Sequence, residues 1–213
     1  MQAAISTRER SVPASWWFAK RGVDVVLGTV LFALSLPIVL VACIGIVAVT
    51  GGAPFFAQER VGQYGRRFKM YKLRTMVVNA HSLRDQLMHL NEADGPVFKI
   101  RNDPRLHPLG PFLRRTSIDE LPNLLNVVLG DISLVGPRPA LPCEIAHYDG
   151  FANRRLQVPQ GITCLWQCSG RSDVSFEQWM ELDNEYVDTW SPLGDLVILA
   201  RTVPAVLRKD GAH

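Results

Sequence analysis

Residues 23–49 read VDVVLGTVLFALSLPIVLVACIGIVAV, and Asp24 is the only charged residue in this stretch. A straight helix of this length would reach about 40 Å, whereas the hydrocarbon core of a bilayer is about 30 Å thick. The stretch is too long for the apolar core of a cleavable secretory signal, and it lacks a small-residue cleavage pattern. We therefore expect it to enter a membrane and to determine the architecture of the chain.

Two features argue against a simple membrane span. Ser35-Leu36-Pro37 near the middle can break the helix, because proline lacks an N–H and a serine hydroxyl can bond the freed carbonyl. Each half would then be about 20 Å long or less, too short to cross. Basic residues flank both ends, so both ends prefer the cytoplasmic side. A re-entrant helical hairpin is the economical interpretation, and a single span with a proline kink is the alternative. The flanking residues are Arg8, Arg10, Lys20 and Arg21 before the run, and Arg60, Arg66, Arg67, Lys69, Lys72 and Arg74 after it.

Charge is distributed unevenly along the chain. Residues 58–118 carry 12 Lys and Arg against 5 Asp and Glu, whereas residues 140–213 carry 6 against 10. Such a basic half suits nucleic acid, anionic lipid or a phosphorylated small molecule. Nucleic acid is disfavoured, because the aromatic residues do not interleave with the arginines and the basic half adjoins the apolar run. The four cysteines include no CxxC pair, which predicts a reducing compartment and no zinc site.

The rest of the chain predicts a mostly helical α+β domain with a small β-hairpin. Residues 54–76 alternate as two strands around a turn at 62–65, residues 79–90 have the pattern of an amphipathic helix, and an interfacial helix is expected from near Pro192. We divide the chain into an N-terminal interfacial segment (1–22), a re-entrant membrane helix (23–50) and a cytoplasmic catalytic domain with a C-terminal interfacial helix (51–213). The P-loop, HExxH and GxSxG motifs do not occur.

The stretch RRTSIDELPNLLN, residues 114–126, places two arginines before the adjacent carboxylates Asp119 and Glu120. Two interpretations fit it. Ser117 and Glu120 have the spacing of a capping box, in which case the acids only satisfy the start of a helix. Alternatively, the helix begins at Pro122, because proline prefers the first helical position, and the two acids lie in the preceding turn facing a cleft. The stretch alone leaves both interpretations equally open.

Several basic side chains are candidates for binding an anion. Lys72 and Arg74 alternate onto one face of the second predicted strand. Arg138 lies between two prolines, and a guanidinium on so stiff a loop is preorganised for phosphate. The loop-rich stretch 98–117 contains three prolines, which suit it to fixing Arg101, Arg105, Arg114 and Arg115 around an anion.

Five stretches of the chain are informative when they are taken together. They are KRGVDVVLG, PFFAQERVGQYGRRFKMYKLRTM, DPRLHPLGPFLRRTSIDELPNLLNVVLGDISLVGPRP, GITCLWQCSGRSD and WSPLGDLVIL. Together they resemble the bacterial sugar transferases, or monotopic phosphoglycosyl transferases, from Lys20 to about Leu207. The resemblance implies transfer of a sugar 1-phosphate from a UDP-sugar to undecaprenyl (polyprenyl) phosphate, with Mg²⁺ as cofactor and release of UMP. Such a transfer is the first membrane step of exopolysaccharide or other glycoconjugate synthesis.

The resemblance also implies roles for individual residues. In the family the Asp of the Asp-Glu pair is the nucleophile, so Asp119 is expected to form an aspartyl-phosphosugar intermediate. Glu120 is expected to hold Mg²⁺ or to orient Asp119, and both are the expected metal ligands. Arg138 is the first candidate for binding phosphate. The weaker candidates are Lys72, Arg74, Arg101, Arg114 and Arg171.

Members of this family sit in the cytoplasmic leaflet of the bacterial inner membrane on a re-entrant helix, which strengthens the hairpin interpretation. The chain resembles a short form of the family, and its sequence leaves open whether it forms a homodimer. The alternative function is a non-enzymatic membrane-anchored scaffold or regulator that binds anionic lipid or nucleic acid through its basic face. Metal-dependent release of UMP from a UDP-sugar separates the two.

Overall fold

The structure is a computed structural model that describes residues 12–168 and 174–208. Its α-helices are α1 (Ala14–Thr50), α2 (Gly110–Arg115), α3 (Asn123–Leu129), α4 (Pro142–Ile145), α5 (Gly150–Asn153), α6 (Leu165–Cys168), α7 (Phe176–Thr189) and α8 (Pro192–Arg208). Its strands are β1 (Phe55–Val61), β2 (Arg67–Leu73), β3 (Ser133–Val135) and β4 (Gly161–Thr163). Short 3-10 segments cover Gln63–Gly65, Asp85–Leu90, Ile118–Glu120 and Arg154–Gln157.

The predicted α+β class with a small antiparallel hairpin is confirmed. β1 and β2 pair from Phe55 opposite Leu73 to Val61 opposite Arg67. The structure adds a second sheet that was not predicted, in which β3 and β4 pair in parallel. Strands this short carry too little alternation to be recognised from sequence.

The segment predicted as an amphipathic helix over 79–90 is only partly helical. It begins as a series of turns and becomes a 3-10 helix at Asp85–Leu90. Ala80 is the one residue of this segment that is buried. Because most helical stability in proteins comes from packing one apolar face, a segment that buries so little has no reason to complete an α-helix.

α1 is a 37-residue helix, long and apolar enough by length and composition to cross a membrane. Most of its apolar surface is exposed, as at Val26, Leu34 and Val41, which are 68%, 69% and 71% exposed. One stripe is nevertheless buried at helical spacing, and it consists of Lys20, Asp24, Gly28, Ser35, Val39 and Ile46. α1 therefore packs one side against protein and leaves its other, apolar sides exposed.

Both ends of the apolar run contact the same domain. Near its start, the Asp24 carboxylate accepts hydrogen bonds from the Ser133 hydroxyl at 3.0 Å and the Leu134 N–H at 2.9 Å. Near its end, Ile46 is completely buried in a cluster that includes Leu113 of α2. The apolar run therefore packs against the domain near both of its ends.

The predicted break near Ser35-Pro37 does not end a helix in the structure. α1 is continuous with Pro37 inside it, and the Ser35 hydroxyl donates to the Phe32 carbonyl at 2.7 Å. Proline removes one backbone donor and bends a helix, but the turns on either side keep their own hydrogen bonds. The structure therefore has one long helix where two separate halves were expected, and the boundary predicted at residue 22 falls inside α1.

A buried polar network attaches α1 to β3, α7 and α8. The Lys20 ammonium lies 2.6 Å from the Asp195 carboxylate and donates to the Val135 carbonyl at 2.8 Å. Asp195 also accepts hydrogen bonds from the Tyr186 hydroxyl at 2.8 Å and the Trp190 indole at 3.0 Å. A buried charge pair with all its partners satisfied fixes geometry, and removal of one partner costs about 3–5 kcal/mol.

α8 begins at Pro192, as predicted, and it continues through Pro204. Its inner face buries Asp195 and Ile198. Its outer face remains apolar and exposed at Leu193, Leu196, Val197 and Val203. This pattern is typical of a helix that lies in a membrane interface.

Candidate active site

Asp119 and Glu120 lie in the short connection between α2 and α3. Ser117 adopts the left-handed region at φ 56°, which turns the chain out of α2 and into a single 3-10 turn that carries both acids. Pro122 occupies the position before the first residue of α3, Asn123. The helix thus begins directly after the proline, as the preference of proline for helix starts predicts.

The capping interpretation of the two acids does not hold. Ser117 makes no side-chain hydrogen bond that would cap a helix. The Glu120 carboxylate bonds two cationic side chains from distant parts of the sequence instead, Lys72 of β2 and Arg138. The acids are therefore held at a basic cluster, which we define as Lys72, Arg114 and Arg138.

Glu120 is held in its charged form. Its Oε1 accepts from the Lys72 ammonium at 2.6 Å and from the Arg138 guanidinium at 3.2 Å. Burial by itself would raise the pKa of Glu120, but the charges and hydrogen bonds of Lys72 and Arg138 outweigh burial and hold this pKa well below its usual range. Glu120 is therefore a fixed anion that orients two cations.

Asp119 has a different environment. Its side chain is buried. Its carboxylate accepts no hydrogen bond from residues 12–168 and 174–208, which are the residues that the structure describes. Burial first, and the neighbouring charge of Glu120 second, raise the pKa of Asp119 to about 6 against the pull of the basic cluster. Such a carboxylate is ionised at neutral pH and more basic than an ordinary aspartate, with its oxygens free to react.

Asn126 places Lys72 beside the pair of carboxylates Asp119 and Glu120, which we call the dyad. Its buried side chain donates to the Lys69 carbonyl at 2.8 Å and accepts from the Tyr71 N–H at 3.1 Å. These bonds join α3 to the edge of β2 that faces away from β1. Because Tyr71 directly precedes Lys72, these bonds fix the backbone from which the Lys72 ammonium reaches Glu120.

Arg114 approaches the dyad from α2. Its Nε donates to the Thr75 hydroxyl at 3.2 Å. Burial lowers the pKa of Arg114, and the charge of Asp119 is the first influence that opposes this effect. With Arg114, the basic cluster has three cations around two carboxylates, so the site has an excess of positive charge available for an anion.

Arg60 belongs to this site although the sequence did not single it out. Its Nη1 donates to the Pro139 carbonyl at 2.9 Å, and burial with the like charge of Arg138 lowers the pKa of Arg60 to about 10. Arg60 lies opposite Phe68 in the hairpin register, on the same face as Lys72. The pairing observed in the hairpin is the signal that identifies Arg60, because directly opposite residues and alternate residues along a strand share a face.

Three candidates from the sequence lie elsewhere or outside the described residues. The guanidinium of Arg74 lies against Gly52 at the end of α1, where a Cβ atom would stand 2.5 Å from its Nη1. Arg101 is largely exposed and lies 3.7 Å from the Glu92 carboxylate. Arg171 is outside the described residues. The structure therefore brings together Lys72, Arg114 and Arg138 of the predicted basic set.

The oxygen atoms of the dyad fit a magnesium ion that would take part of its ligands from the protein and part from a substrate. The residues that the structure describes contain no group of three or more acidic, His or Cys side chains placed to hold a metal. However, Mg²⁺ is often bound through one or two carboxylates together with substrate phosphates and water. Glu120 uses Oε1 for Lys72 and Arg138, which leaves its Oε2 and the oxygens of Asp119 for a cation.

Comparison with known proteins identifies the family. The family model "Bacterial sugar transferase" matches residues 15–209. The UDP-galactose-lipid carrier transferase of Erwinia amylovora is 44% identical over 201 residues, which cover 92% of this chain and 42% of that protein. Exopolysaccharide production protein ExoY of Rhizobium meliloti is 38% identical, with 92% of this chain and 88% of that protein covered.

A third relative is the UDP-glucose:undecaprenyl-phosphate glucose-1-phosphate transferase of Caulobacter vibrioides, 39% identical, with 91% of this chain and 72% of that protein covered. The chain spans less than half the length of the Erwinia protein and most of the length of ExoY. Because the family match covers nearly all of the residues that build the dyad, the basic cluster and the long apolar helix, the chain belongs to the bacterial sugar transferase family.

Proposed function

We propose that this chain transfers a sugar 1-phosphate from a UDP-sugar to undecaprenyl phosphate, with release of UMP. The observation that carries the proposal is the contrast within the dyad: Glu120 is committed to two cations, whereas the buried Asp119 keeps its oxygens unbonded in the described part of the chain. The names of the relatives from Erwinia and Caulobacter, a UDP-galactose-lipid carrier transferase and a glucose-1-phosphate transferase, support this substrate class.

The proposed reaction has two displacements at the same phosphorus. An oxygen of Asp119 attacks the phosphorus that bears the sugar, and the bond from that phosphorus to the bridging oxygen breaks, so that UMP leaves with the electron pair. The product is an acyl phosphate between Asp119 and the sugar. An oxygen of undecaprenyl phosphate then attacks this phosphorus, which yields the lipid diphosphate sugar and returns the Asp119 carboxylate.

The basic cluster makes the approach of these anions feasible. Phosphoryl transfer depends mainly on positioning and on neutralising charge. Arg138, oriented by Glu120, faces the diphosphate, and Arg114 lies on the Asp119 side of the site. Lys72 stays with Glu120 and limits the repulsion between that carboxylate and the substrate. Mg²⁺ bound by Asp119 and Glu120 would supply further neutralisation of the diphosphate and of the departing UMP.

A panel of UDP-sugars tests this proposal against the scaffold alternative. We expect one or more UDP-sugars to give UMP in the presence of undecaprenyl phosphate and Mg²⁺, and we expect EDTA to stop the release. A chromatographic assay for UMP measures the reaction. Absence of UMP release with every UDP-sugar, from protein that still binds anionic vesicles, would favour a non-enzymatic membrane scaffold.

We also propose that α1 enters the cytoplasmic leaflet of the bacterial inner membrane and returns to the same side. Support comes from Asp24 and Ile46, which lie near opposite ends of the apolar run and both pack on the catalytic domain. A transmembrane path would carry one of these attachments to the far side of the bilayer. Pro37 supplies a position at which the helix can bend, and the exposed apolar face of α8 adds a second contact with the interface.

Cysteine labelling tests this topology. On a background without native cysteines, single cysteines at positions 12 and 63 are expected to react with a membrane-impermeant maleimide from the cytoplasmic face of inverted vesicles. Both should be protected in vesicles of the opposite orientation. Position 12 precedes α1 and position 63 is in the hairpin turn, so the pair brackets the apolar run. Labelling of the two positions from opposite faces would establish a single span.

A further inference from the structure

The backbone of residues 137–139, the segment that carries Arg138, is held through its carbonyl groups. Both of its prolines lack an N–H, so backbone hydrogen bonds at these positions require donors from elsewhere. Each of the three successive carbonyls accepts one: the donors, in order, are the Gly161 N–H at 2.9 Å, Arg155 Nη2 at 2.5 Å and Arg60 Nη1 at 2.9 Å. The approach of Gly161 requires glycine, because a Cβ there would lie 2.2 Å from the nitrogen of Gly136.

Arg155 is the most constrained of these donors. Its side chain is completely buried. The Nη2 atom that donates to the Arg138 carbonyl also lies 2.9 Å from the carboxylate of Asp183 in α7. Its Nη1 donates to the Tyr148 hydroxyl at 3.0 Å. The guanidinium also lies over the ring of Trp179, 5.2 Å from its centroid. Because this planar group has contacts on several sides, it fixes the backbone of Arg138 relative to α7.

We propose that Arg155, held by Asp183, is a positioning residue that fixes Arg138 for binding the diphosphate of the sugar donor. The fixed carbonyl sets the backbone from which the Arg138 side chain reaches Glu120, 3.2 Å away. Among the described residues, Arg155 forms no hydrogen bond or ion pair with Asp119 or Glu120. The inference rests on the proposed function, because the ligand it invokes is the diphosphate of the nucleotide sugar.

The neighbouring residue shows what a purely structural ion pair looks like in the same place. Arg154 pairs with Asp188, so it links the same 3-10 segment to α7, but at the surface and without a contact to residues 137–139. Attachment of the segment to α7 therefore does not require a fully buried charge, which carries a desolvation penalty. Among the features that distinguish Arg155 from Arg154, the bond to the Arg138 carbonyl is the one that reaches the site.

A double-mutant cycle on the full chain in detergent tests the proposal, with UDP as the probe and its Kd measured by calorimetry. Arg155→Lys is expected to raise the Kd about tenfold, because one ammonium cannot serve Asp183 and the carbonyl in the geometry of the guanidinium, and misplacement of about 1 Å is costly. In an Arg138→Ala background, the same change should raise the Kd by less than about twofold. The matched control Arg154→Lys should also change it by less than about twofold.

Equal losses in both backgrounds would show that Arg155 acts independently of Arg138, and no loss from Arg155→Lys would remove its importance for binding; either result overturns the proposal. If the melting curve shows that Arg155→Lys does not fold, Asp183→Asn replaces it in the same cycle with the same expected pattern. Wild type that binds UDP but releases no UMP from any UDP-sugar contradicts the proposed function and leaves this inference standing. Wild type that does not bind UDP overturns the inference.

Discussion

Replacement of Asp119 by asparagine is expected to abolish sugar-phosphate transfer, with a loss of at least about 10³-fold in turnover. The amide has nearly the same shape as the carboxylate but is a far poorer nucleophile, so it cannot form the acyl phosphate. Steady-state UMP release measures the loss. Intact-protein mass spectrometry after incubation with the UDP-sugar should detect a phosphosugar adduct on wild type and none on Asp119→Asn.

The stability of this variant provides the control. Burial raises the pKa of Asp119 to about 6, above its ordinary value of 3.8, so the ionised form is penalised in the folded protein. That penalty is present above the raised pKa and disappears as the pH falls below the ordinary value. At neutral pH, Asp119→Asn should therefore melt at the wild-type temperature or higher. Retention of more than about a tenth of wild-type turnover would show that Asp119 is not the nucleophile.

Glu120→Gln is expected to lower kcat/KM about 10²- to 10³-fold and also to destabilise the protein. The change removes the charge that holds Lys72 at 2.6 Å and Arg138 at 3.2 Å, and it leaves two partly buried cations without their counter-ion. The two neighbouring carboxylates should therefore have stability effects of different sign, because burial penalises the charge of Asp119 while its partners stabilise the charge of Glu120.

A magnesium titration separates the two roles proposed for Glu120. If its Oε2 is a metal ligand, Glu120→Gln should need a higher Mg²⁺ concentration for half-maximal activity, and excess Mg²⁺ should restore part of the rate. If Glu120 only orients the two cations, the rate should fall with no change in the Mg²⁺ requirement. Glu59→Gln is the matched control, since that carboxylate pairs with Arg67 on the exposed part of the hairpin. Unchanged activity and unchanged metal dependence in Glu120→Gln would remove Glu120 from the site.

The parts of the site that lie close in sequence could be predicted. Pro122 indicated where α3 begins, and this left Asp119 and Glu120 in the preceding turn, where the structure has them. Alternation along β2 put Lys72 on a definite face, and the two prolines beside Arg138 indicated a stiff loop. Each of these inferences depends on local backbone preferences, which a short stretch of sequence determines.

The parts that depend on contacts between distant residues could not be predicted. Arg155 is 17 positions from the carbonyl that it holds, and nothing in its own stretch indicates that it is buried. Arg101 lies in a loop rich in basic residues and prolines, but its nearest partner in the structure is Glu92. The packing of the apolar run also depends on distant contacts, because α1 is continuous through Pro37 while Asp24 bonds Leu134 and Ile46 packs in a cluster with Leu113.

Single-turnover release of UMP in the absence of any polyprenyl phosphate tests the central claim most directly. Wild-type protein mixed with its UDP-sugar and Mg²⁺ should release UMP in a rapid burst of up to one equivalent per active site, because the phosphosugar remains on Asp119 with no acceptor to remove it. Asp119→Asn of confirmed stability should give no burst. A wild type that releases UMP only after undecaprenyl phosphate is added would contradict the account and show that the sugar phosphate passes directly between the two substrates.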